Sequence, residues 1–318
     1  MSGTILPAVG ERTSSVLVTG ATGNLGREVV DRLLARGVRV RCLSRRPLAG
    51  VESVRGDLTD PAVVRSALAG VDAVLLMWPL LDVAPAHDLV AELAAAAPRV
   101  VYVSSTAIDD ETARQSDPIV QVHADVEALL GDSGLRWVAL RSDTLASNAR
   151  GWAAQLEAGD VVSGPDIART AVVDERDVAD AAAAVLLGGD HEEHGPFLLT
   201  GPEILGRADQ VALLGATLGR RLRFEAVPPD LARSRMLADG RPEHLVEALV
   251  AASVHRPESG LITDHVARLT GRPPGTFGRW AVDHADDFAR NRRPARHRTD
   301  FRGATLTSTN VEVLASAA

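Results

Sequence analysis

Residues 16–26 read VLVTGATGNLG, and this stretch decides the fold of the 318-residue chain. A short apolar strand runs into Gly20, Gly23 and Gly26, which are spaced three residues apart and open a helix. Gly20 allows a sharp turn, Gly23 lets the backbone approach a phosphate, and Gly26 lets the helix pack closely on the strand. Free N–H groups and the dipole at the start of that helix favour an anion. The stretch therefore predicts a dinucleotide-binding turn between a strand and a helix.

Short runs rich in Val and Leu alternate with helical stretches through the first half of the chain. This alternation is typical of a parallel sheet buried on both faces by helices. The fold class we predict is α/β, with a doubly wound parallel-sheet Rossmann domain and a smaller, mostly helical C-terminal lid. Gly37 and Gly131 stand where helices are expected to end in a left-handed residue. The strand candidates are Ser15–Thr19, Val38–Leu43, Ser53–Arg55, Ala73–Met77, Val100–Ser104 and Trp137–Arg141, and the helix candidates are Leu25–Ala35, Pro61–Ala69, Ala84–Ala96 and Ile119–Leu130.

After Arg141 the pattern becomes less regular and more helical. We assign residues 14–150 and about 168–190 to the Rossmann domain, and about 151–167 and 191–290 to the substrate-binding lid. Residues 291–318, basic and then rich in Ser, Thr and Ala, predict a flexible tail. The predicted elements here are helices over Leu145–Leu156, Arg176–Leu187, Gln210–Leu218, 242–253, 261–269 and 277–289, with extended segments over Thr170–Val173, Phe197–Thr200 and Leu222–Ala226.

Composition excludes several classes of function. The net charge of −8 gives no attraction to nucleic acid or to an anionic membrane. Cys42 is the single cysteine, so the chain forms no internal disulfide, and an inert core thiol is expected. No apolar run approaches the roughly 18 residues of a membrane span, which predicts a cytoplasmic protein. His191 and His194 invite a metal interpretation, but a solvated loop fits them better and we predict no metal site.

The choice of dinucleotide rests on the residues after the second strand. A free ribose 2′-hydroxyl calls for an acidic residue there, whereas a 2′-phosphate calls for arginine. Arg45 and Arg46 come directly after the strand, and their planar donor groups suit a phosphate, which predicts NADP(H); the alternative is that both are simply solvated. Asp57 is placed to accept from the adenine amino group. The predicted cofactor-binding set is Gly20, Thr22, Gly23, Asn24, Leu25, Arg45, Arg46, Asp57, Leu58, Met77 and Trp78.

The ordered set of motifs resembles the NmrA-like group of atypical short-chain dehydrogenase/reductases over residues 15 to about 290. The resemblance implies NADP(H) bound in extended form, a substrate cleft between the Rossmann domain and the lid, and either reduction of quinones, ketones and enones or cofactor sensing without catalysis. Ser142 departs from the family pattern, which commonly has Pro at that position. The matching stretches are Thr19–Gly26, Leu43–Arg46, Gly56–Leu58, Val103–Ser105, His123–Glu127, Ser133–Leu135, Leu140–Arg141 with Asn148, Val173–Ala179, Leu199–Glu203 and Gly271–Pro274 through Trp280.

The source of a catalytic proton is the difficult point, because the chain has no lysine and its only tyrosine is Tyr102. The Tyr/Lys pair of related reductases is therefore absent, and alternation along the strand turns Tyr102 away from Val101 and Val103 and toward a packing role. Ser104 is the candidate for contact with a substrate carbonyl, with Ser105 or Thr106 as substitutes. The alternative is that these hydroxyls only cap the strand and touch a ribose. His123 is the candidate for proton relay or for binding ribose hydroxyls, because the pKa of an imidazole lies near the working pH. The alternative is a histidine at the surface or at the edge of the core.

Two functions remain open on the sequence. The first is an NADPH-dependent oxidoreductase that reduces a ketone or quinone carbonyl of a small, aromatic, polyketide-like molecule. A setting in antibiotic biosynthesis is what the resemblance to atypical ketoreductases of aromatic polyketide pathways implies. The second is a non-catalytic NADP(H)-sensing regulator, which the missing Tyr/Lys pair also fits. A sugar-nucleotide epimerase is disfavoured, because such enzymes use the same pair. A small molecule is the expected partner, with neither nucleic acid nor membrane, and the chain is expected to be a monomer or a homodimer.

Overall fold

A seven-stranded, all-parallel sheet forms the centre of the protein, which a computed structural model describes over residues 14–188 and 196–289. Its strand order is β3-β2-β1-β4-β5-β6-β9, which confirms the predicted doubly wound α/β fold. The lead-in before residue 14, the His191–His194 stretch and the tail 291–318 lie outside the described residues. The strands are β1 (Ser15–Thr19), β2 (Arg39–Ser44), β3 (Glu52–Arg55), β4 (Ala73–Leu76), β5 (Arg99–Ser105), β6 (Trp137–Ser142), β7 (Val161–Gly164), β8 (Thr170–Ala171), β9 (Phe197–Leu199), β10 (Ile204–Leu205) and β11 (Arg223–Ala226).

The helices cover both faces of the sheet and build the lid. Two of them begin at an Asp-Pro pair in which the carboxylate caps the first turn: Asp60 Oδ1 accepts from the Ala62 amide over 2.9 Å, and Asp117 Oδ1 accepts from the Ile119 amide over 2.8 Å. The α-helices are α1 (Asn24–Ala35), α2 (Pro61–Leu68), α3 (Ala84–Ala96), α4 (Pro118–Asp132), α5 (Ala153–Ala158), α6 (Glu175–Leu186), α7 (Arg207–Leu218), α8 (Pro229–Ala238), α9 (Glu243–His255), α10 (His265–Thr270) and α11 (Phe277–Asp283), and 3-10 helices span Ala146–Trp152 and Ala285–Phe288.

Alternate residues of each central strand point into two different apolar layers. In β5, Val101 and Val103 pack with α1 and α6 on one face, whereas Val100 and Tyr102 pack with α2, α3 and α4 on the other. The predicted orientation of Tyr102, opposite to its neighbours, is thus confirmed. Cys42 is fully buried in the first of these layers, and burial raises the pKa of its thiol to about 11.

The lid has an apolar cluster of its own. Trp280 and Phe277 from α11 stack at a centroid separation of 5.4 Å and pack with residues of α5, α7 and β7. A short parallel pair, β7 with β11, and an antiparallel pair, β8 with β10, complete this region. Helix α9 packs on α4 through Leu245, Ala248 and Ile119, so the lid also contacts the sheet domain beside the carboxyl end of β5.

The structure differs from the sequence prediction in several local features. Gly131 lies inside α4, and Gly134 (φ 73°) is the left-handed residue instead. The helix predicted over Leu145–Leu156 is a 3-10 helix followed by α5, because the Ala146 amide donates to the Val173 carbonyl and ties the first turn to another segment. The extended segment at Thr170–Val173 is shorter, ending at Ala171. The helix predicted over 277–289 is divided after Asp283.

Within residues 14–188 and 196–289, no helix has the length and apolar character that crossing a bilayer requires.

Candidate cofactor site and active site

The turn between β1 and α1 has the geometry of an anion site. Gly20 adopts φ 63°, and the Gly23 amide donates to its carbonyl over 3.0 Å. A Cβ on Gly26 would lie 2.2 Å from the Gly20 oxygen, so only glycine lets the helix pack on this turn. Gly23 is the N-cap of α1 and has no side chain to occupy the first amides of the helix. Those amides are free to bind a phosphate, and the turn fits a dinucleotide.

A cavity of about 520 Å³ extends from this turn along the carboxyl ends of β1, β2, β3 and β4. Its walls bring together every residue predicted to bind cofactor. These are Gly20, Thr22, Gly23, Asn24, Leu25, Arg45, Arg46, Asp57, Leu58, Met77 and Trp78.

Four arginines line the cavity, of which only Arg45 and Arg46 were predicted from the sequence. Arg55 ends β3 and lies opposite Ser44 in the strand register, so it is next to Arg45 at the same edge of the sheet. Arg27, on the first turn of α1, donates from Nε to the Thr22 carbonyl over 2.8 Å. The position of Arg55 at a strand end was the sequence signal for it. Together these side chains give the adenosine end of the cavity a positive charge.

The walls at the ends of β3 and β4 are held by local hydrogen bonds. Asp57 is exposed, and its Oδ1 accepts from the amide and the hydroxyl of Thr59 at 3.0 and 2.9 Å. Thr19 Oγ1 accepts from the Met77 amide over 2.7 Å, which ties the end of β1 to the loop after β4. Trp78 lies in that loop, and its indole N–H donates to the Asp82 carbonyl over 3.3 Å.

The Ser104 side chain points toward α4. Ser104 lines neither the cofactor cavity nor a second, smaller cavity at the carboxyl ends of β5 and β6. Its hydroxyl donates to Glu127 Oε1 over 2.5 Å, and its side chain is fully buried. Glu127 pairs in turn with Arg141 over 2.7 Å, and Arg141 also binds Asp110 over 2.7 Å. The hydrogen bond from Arg141 lowers the pKa of the Asp110 carboxyl. As arranged, the Ser104 hydroxyl is part of an ionic network with Glu127 and Arg141.

His123 is likewise enclosed, with 6% of its surface exposed. Its Nδ1 lies 2.9 Å from the hydroxyl of Tyr102, which is completely buried. Burial, and then the charge of Arg256, lower the pKa of His123 to about 4, whereas burial raises the pKa of Tyr102. Both groups are therefore neutral at physiological pH. The proton relay predicted for His123 does not fit this position, because the imidazole faces the core and its partner is Tyr102.

The smaller, second cavity, of about 130 Å³, lies at the carboxyl ends of β5 and β6. Ser105 and Thr106, the predicted substitutes for Ser104, both line this cavity. Its remaining walls were not predicted, because they combine the loops after β5 and β6 with Thr170 and with the segment after α9, which are distant in sequence. They are Ala107, Asp143, Thr144, Thr170, Arg256, Pro257, Glu258 and Ser259.

Comparisons with known proteins agree with this geometry. A family described as NAD(P)H-binding matches residues 20–187. A (4-alkanoyl-5-oxo-2,5-dihydrofuran-3-yl)methyl phosphate reductase of Streptomyces griseus is 38% identical over 286 residues, covering 86% of this chain and 99% of that protein. An NAD(P)H azoreductase of Xenophilus azovorans is 30% identical over 287 residues, with 86% and 99% covered. The solved NADPH-dependent quinone oxidoreductase of Escherichia coli has a similar fold, with a TM-score of 0.70, 24% identity, and 85% and 99% covered.

Proposed function

This chain belongs to the NAD(P)H-binding family of atypical, NmrA-like reductases, and from that premise we propose that it uses NADPH to reduce a ketone or quinone carbonyl of a small conjugated molecule. The bound dinucleotide supplies the hydride. The preference for the phosphorylated form rests on Arg45 and Arg46 at the end of β2, with Arg55 beside them.

The observation that carries the substrate class is the kind of polar group around the second cavity. Reduction of an isolated ketone leaves a strongly basic oxyanion, which needs an acid nearby. The chain has no lysine, and its only tyrosine is buried against His123. Ser105 and Thr106 offer hydroxyls that donate hydrogen bonds but do not ionise near neutral pH.

A conjugated acceptor removes the need for an acid, because it spreads the negative charge over its own π system. The named substrates of the relatives agree with this reasoning: a quinone, an azo compound and an unsaturated furanone each contain a conjugated, electron-poor group. We therefore assign Ser105 and Thr106 to hydrogen bonding of the acceptor oxygen, and its protonation to solvent. An aromatic polyketide quinone or ketone is one natural product class that meets these requirements.

Stopped-flow oxidation of NADPH by the purified chain tests the proposal, with acceptors arranged in matched pairs. Menadione is paired with its saturated diketone analogue, and a conjugated enone with the corresponding saturated ketone. We expect the conjugated member to react about 100-fold faster or more, the contribution that a positioned general acid would otherwise make. Equal rates within the pairs would overturn the proposal. Tight NADPH binding without turnover of any acceptor would favour the regulator instead.

A further inference from the structure

Two arginines of the lid have no partner for their charge. Arg207 is the first residue of α7, and Arg241 lies in the turn between α8 and α9. Both residues are half-buried, and among the described residues neither guanidinium forms a hydrogen bond or an ion pair. The nitrogen atoms of both groups are open to solvent. An anion from solution can therefore reach them.

The position of Arg207 is unfavourable for a cation without a counter-ion. Burial lowers the pKa of Arg207 to about 10, the charge of Asp166 opposes this shift, and the charge of Arg241 adds to it. The start of a helix also carries a partial positive charge, so the dipole of α7 disfavours an arginine there. Arg207 is nevertheless protonated at neutral pH. Uncompensated positive charge thus collects at one point of the lid, where a bound anion would relieve it.

The backbone around the two arginines is fixed before any ligand arrives. A Cβ on Gly164 would lie 3.0 Å from Arg207 Nη1, so the guanidinium rests against the end of β7 at a residue without a side chain. The Arg241 amide donates to the Met236 carbonyl over 3.2 Å, which closes the turn after α8. Donors held on such segments lose little entropy when a ligand binds.

The carboxylates close to this pair do not neutralise it. Asp209, on the first turn of α7, pairs with Arg169, and its Oδ2 also accepts from the Gly206 amide over 2.9 Å. Asp166 is exposed and forms no ion pair with Arg207. The charge that remains calls for a ligand with about two negative charges. A phosphate group meets this requirement, and its oxygens match the planar donor fork of a guanidinium.

We propose that Arg207 and Arg241 form a binding site for a phosphate-class oxyanion on the lid. The site is separate from both cavities, because neither residue lines one. It is nevertheless connected to the second cavity, since α7 begins two residues after Leu205, and Leu205 pairs with Thr170 in the wall of that cavity. A free anion and an anionic group carried by the acceptor share this chemistry, and the test distinguishes them.

Calorimetric titration of inorganic phosphate into the full chain, saturated with NADP+ and held at constant ionic strength with chloride, tests the site. We expect Arg207→Gln and Arg241→Gln each to weaken the affinity for phosphate about tenfold or more, because each removes a charge-assisted hydrogen bond. Arg223→Gln is the matched control, since Arg223 is an exposed arginine of β11 that forms no ion pair among the described residues. No phosphate binding by the parent chain, or equal affinities in all four proteins, would overturn the proposal.

Stability without phosphate gives a second readout. Because Arg207 is an uncompensated cation, Arg207→Gln should unfold at the same urea concentration as the parent chain or at a higher one. Added phosphate should raise the unfolding midpoint of the parent chain and of Arg223→Gln more than that of Arg207→Gln, since a ligand stabilises the state that binds it. A clear loss of stability in Arg207→Gln without phosphate would show that protein groups already balance this charge, and the proposal would be wrong.

Two acceptors identify the source of the anion. Naphthoquinone sulfonate carries an oxyanion, whereas menadione carries none. If the ratio of KM for the sulfonate to KM for menadione rises about tenfold in Arg207→Gln, the acceptor supplies the anion. If the ratio stays as in the parent chain while phosphate affinity falls, free phosphate is the ligand. The titration needs no turnover, so a chain that reduces no acceptor but binds phosphate through Arg207 would contradict the reductase function and support this site.

Discussion

The guanidinium of Arg150 donates a hydrogen bond of 2.8 Å to the side-chain oxygen of Asn24, the first residue of α1 and part of the cofactor cavity. The same guanidinium contacts Asp287 over 2.9 Å and the Nδ1 of His284 over 3.1 Å. Burial and the charge of Arg150 lower the pKa of His284, which favours its neutral, hydrogen-bond-accepting form. One side chain thus joins the glycine turn to the last described segment of the lid.

We predict that Arg150→Ala weakens NADPH binding by up to about tenfold, because Asn24 loses the hydrogen bond that orients it. Calorimetric titration of NADPH measures the effect. Arg279→Ala is the control, since Arg279 is 74% exposed and, among the described residues, forms an ion pair only with Asp283 on its own helix, at 3.4 Å. Equal affinities in the two variants would show that the contact with Asn24 does not support the cofactor site.

Removal of the Arg45 guanidinium should reduce the preference for NADPH over NADH. A hydrogen bond to a charged phosphate contributes about 1.5–3 kcal/mol. Arg45→Ala should therefore weaken the affinity for NADPH about 10- to 100-fold and leave the affinity for NADH nearly unchanged. Arg36→Ala removes the same charge at the far end of α1 and serves as the control. An equal loss of affinity for NADPH and for NADH would contradict a specific contact between Arg45 and the 2′-phosphate.

Ser104→Ala tests whether catalysis lies at Ser104 or at its neighbours. Because the Ser104 hydroxyl donates to Glu127, we expect kcat/KM with menadione to stay the same, while stability falls by about 2 kcal/mol. Ser105→Ala should instead lower kcat/KM. A large loss of turnover in Ser104→Ala at unchanged NADPH affinity would return the catalytic role to Ser104.

Arg141 pairs with two carboxylates, Glu127 and Asp110. Removal of Glu127 should destabilise the protein strongly, and removal of Asp110 only weakly. Glu127 is 11% exposed and Arg141 8%, so Glu127→Ala leaves a buried cation poorly compensated and should cost about 3 kcal/mol or more. Asp110 is 68% exposed, and Asp110→Ala should cost less than about 1 kcal/mol. Urea unfolding of both variants measures the difference. Comparable losses would mean that the exposed Asp110 compensates the charge of Arg141 as much as the buried Glu127 does.

His123 should make the protein less stable in mild acid. Its pKa is about 4 in the folded state against 6.5 when exposed, so between these values the unfolded chain binds a proton that the folded chain does not. The stabilisation is complete above pH 6.5 and is lost as the pH falls toward 4, by about 3 kcal/mol at most. Nearby Arg256 lowers this pKa further and Asp117 opposes it.

Unfolding free energies at neutral pH and at about pH 5 test this dependence. His123→Gln should flatten the decline with acid, whatever its effect on stability at neutral pH. His87→Gln, at an exposed position on α3, should leave the decline as in the parent chain. An identical decline in all three proteins would place the acid sensitivity at other groups.

The sheet domain was predictable because its signals are local. The glycine turn, the Asp60-Pro61 helix start and the short Val- and Leu-rich strands each specify their own conformation. The lid was less predictable, because β7 and β10 are only a few residues long and exist through pairing with β11 and β8, which lie elsewhere in the chain. No periodicity within such short segments reveals their partners.

The residues that line the large cavity were predictable for the same reason, because strand ends and the glycine turn meet at one edge of the sheet. Two catalytic candidates, Ser104 and His123, line neither cavity, and for Ser104 the sequence held a signal of this. Alternation along β5 gives Ser104 the same orientation as Tyr102, toward α4, and gives Ser105 the opposite one. The direction of His123 depends on how α4 packs, and the meeting of Thr144 with Arg256 at one cavity depends on a contact between segments distant in sequence, so sequence spacing carries no information on either.

Because Cys42 is buried, the chain can be labelled with a spectroscopic probe at a single introduced cysteine. Maleimide reagents attack thiolates that solvent can reach, and this sulfur is neither ionised near neutral pH nor accessible. A cysteine introduced on the outer surface of α9 would therefore be the one reactive thiol of the native protein. A fluorophore there would report whether α9 shifts against α4 when dinucleotide and acceptor bind, without any background substitution.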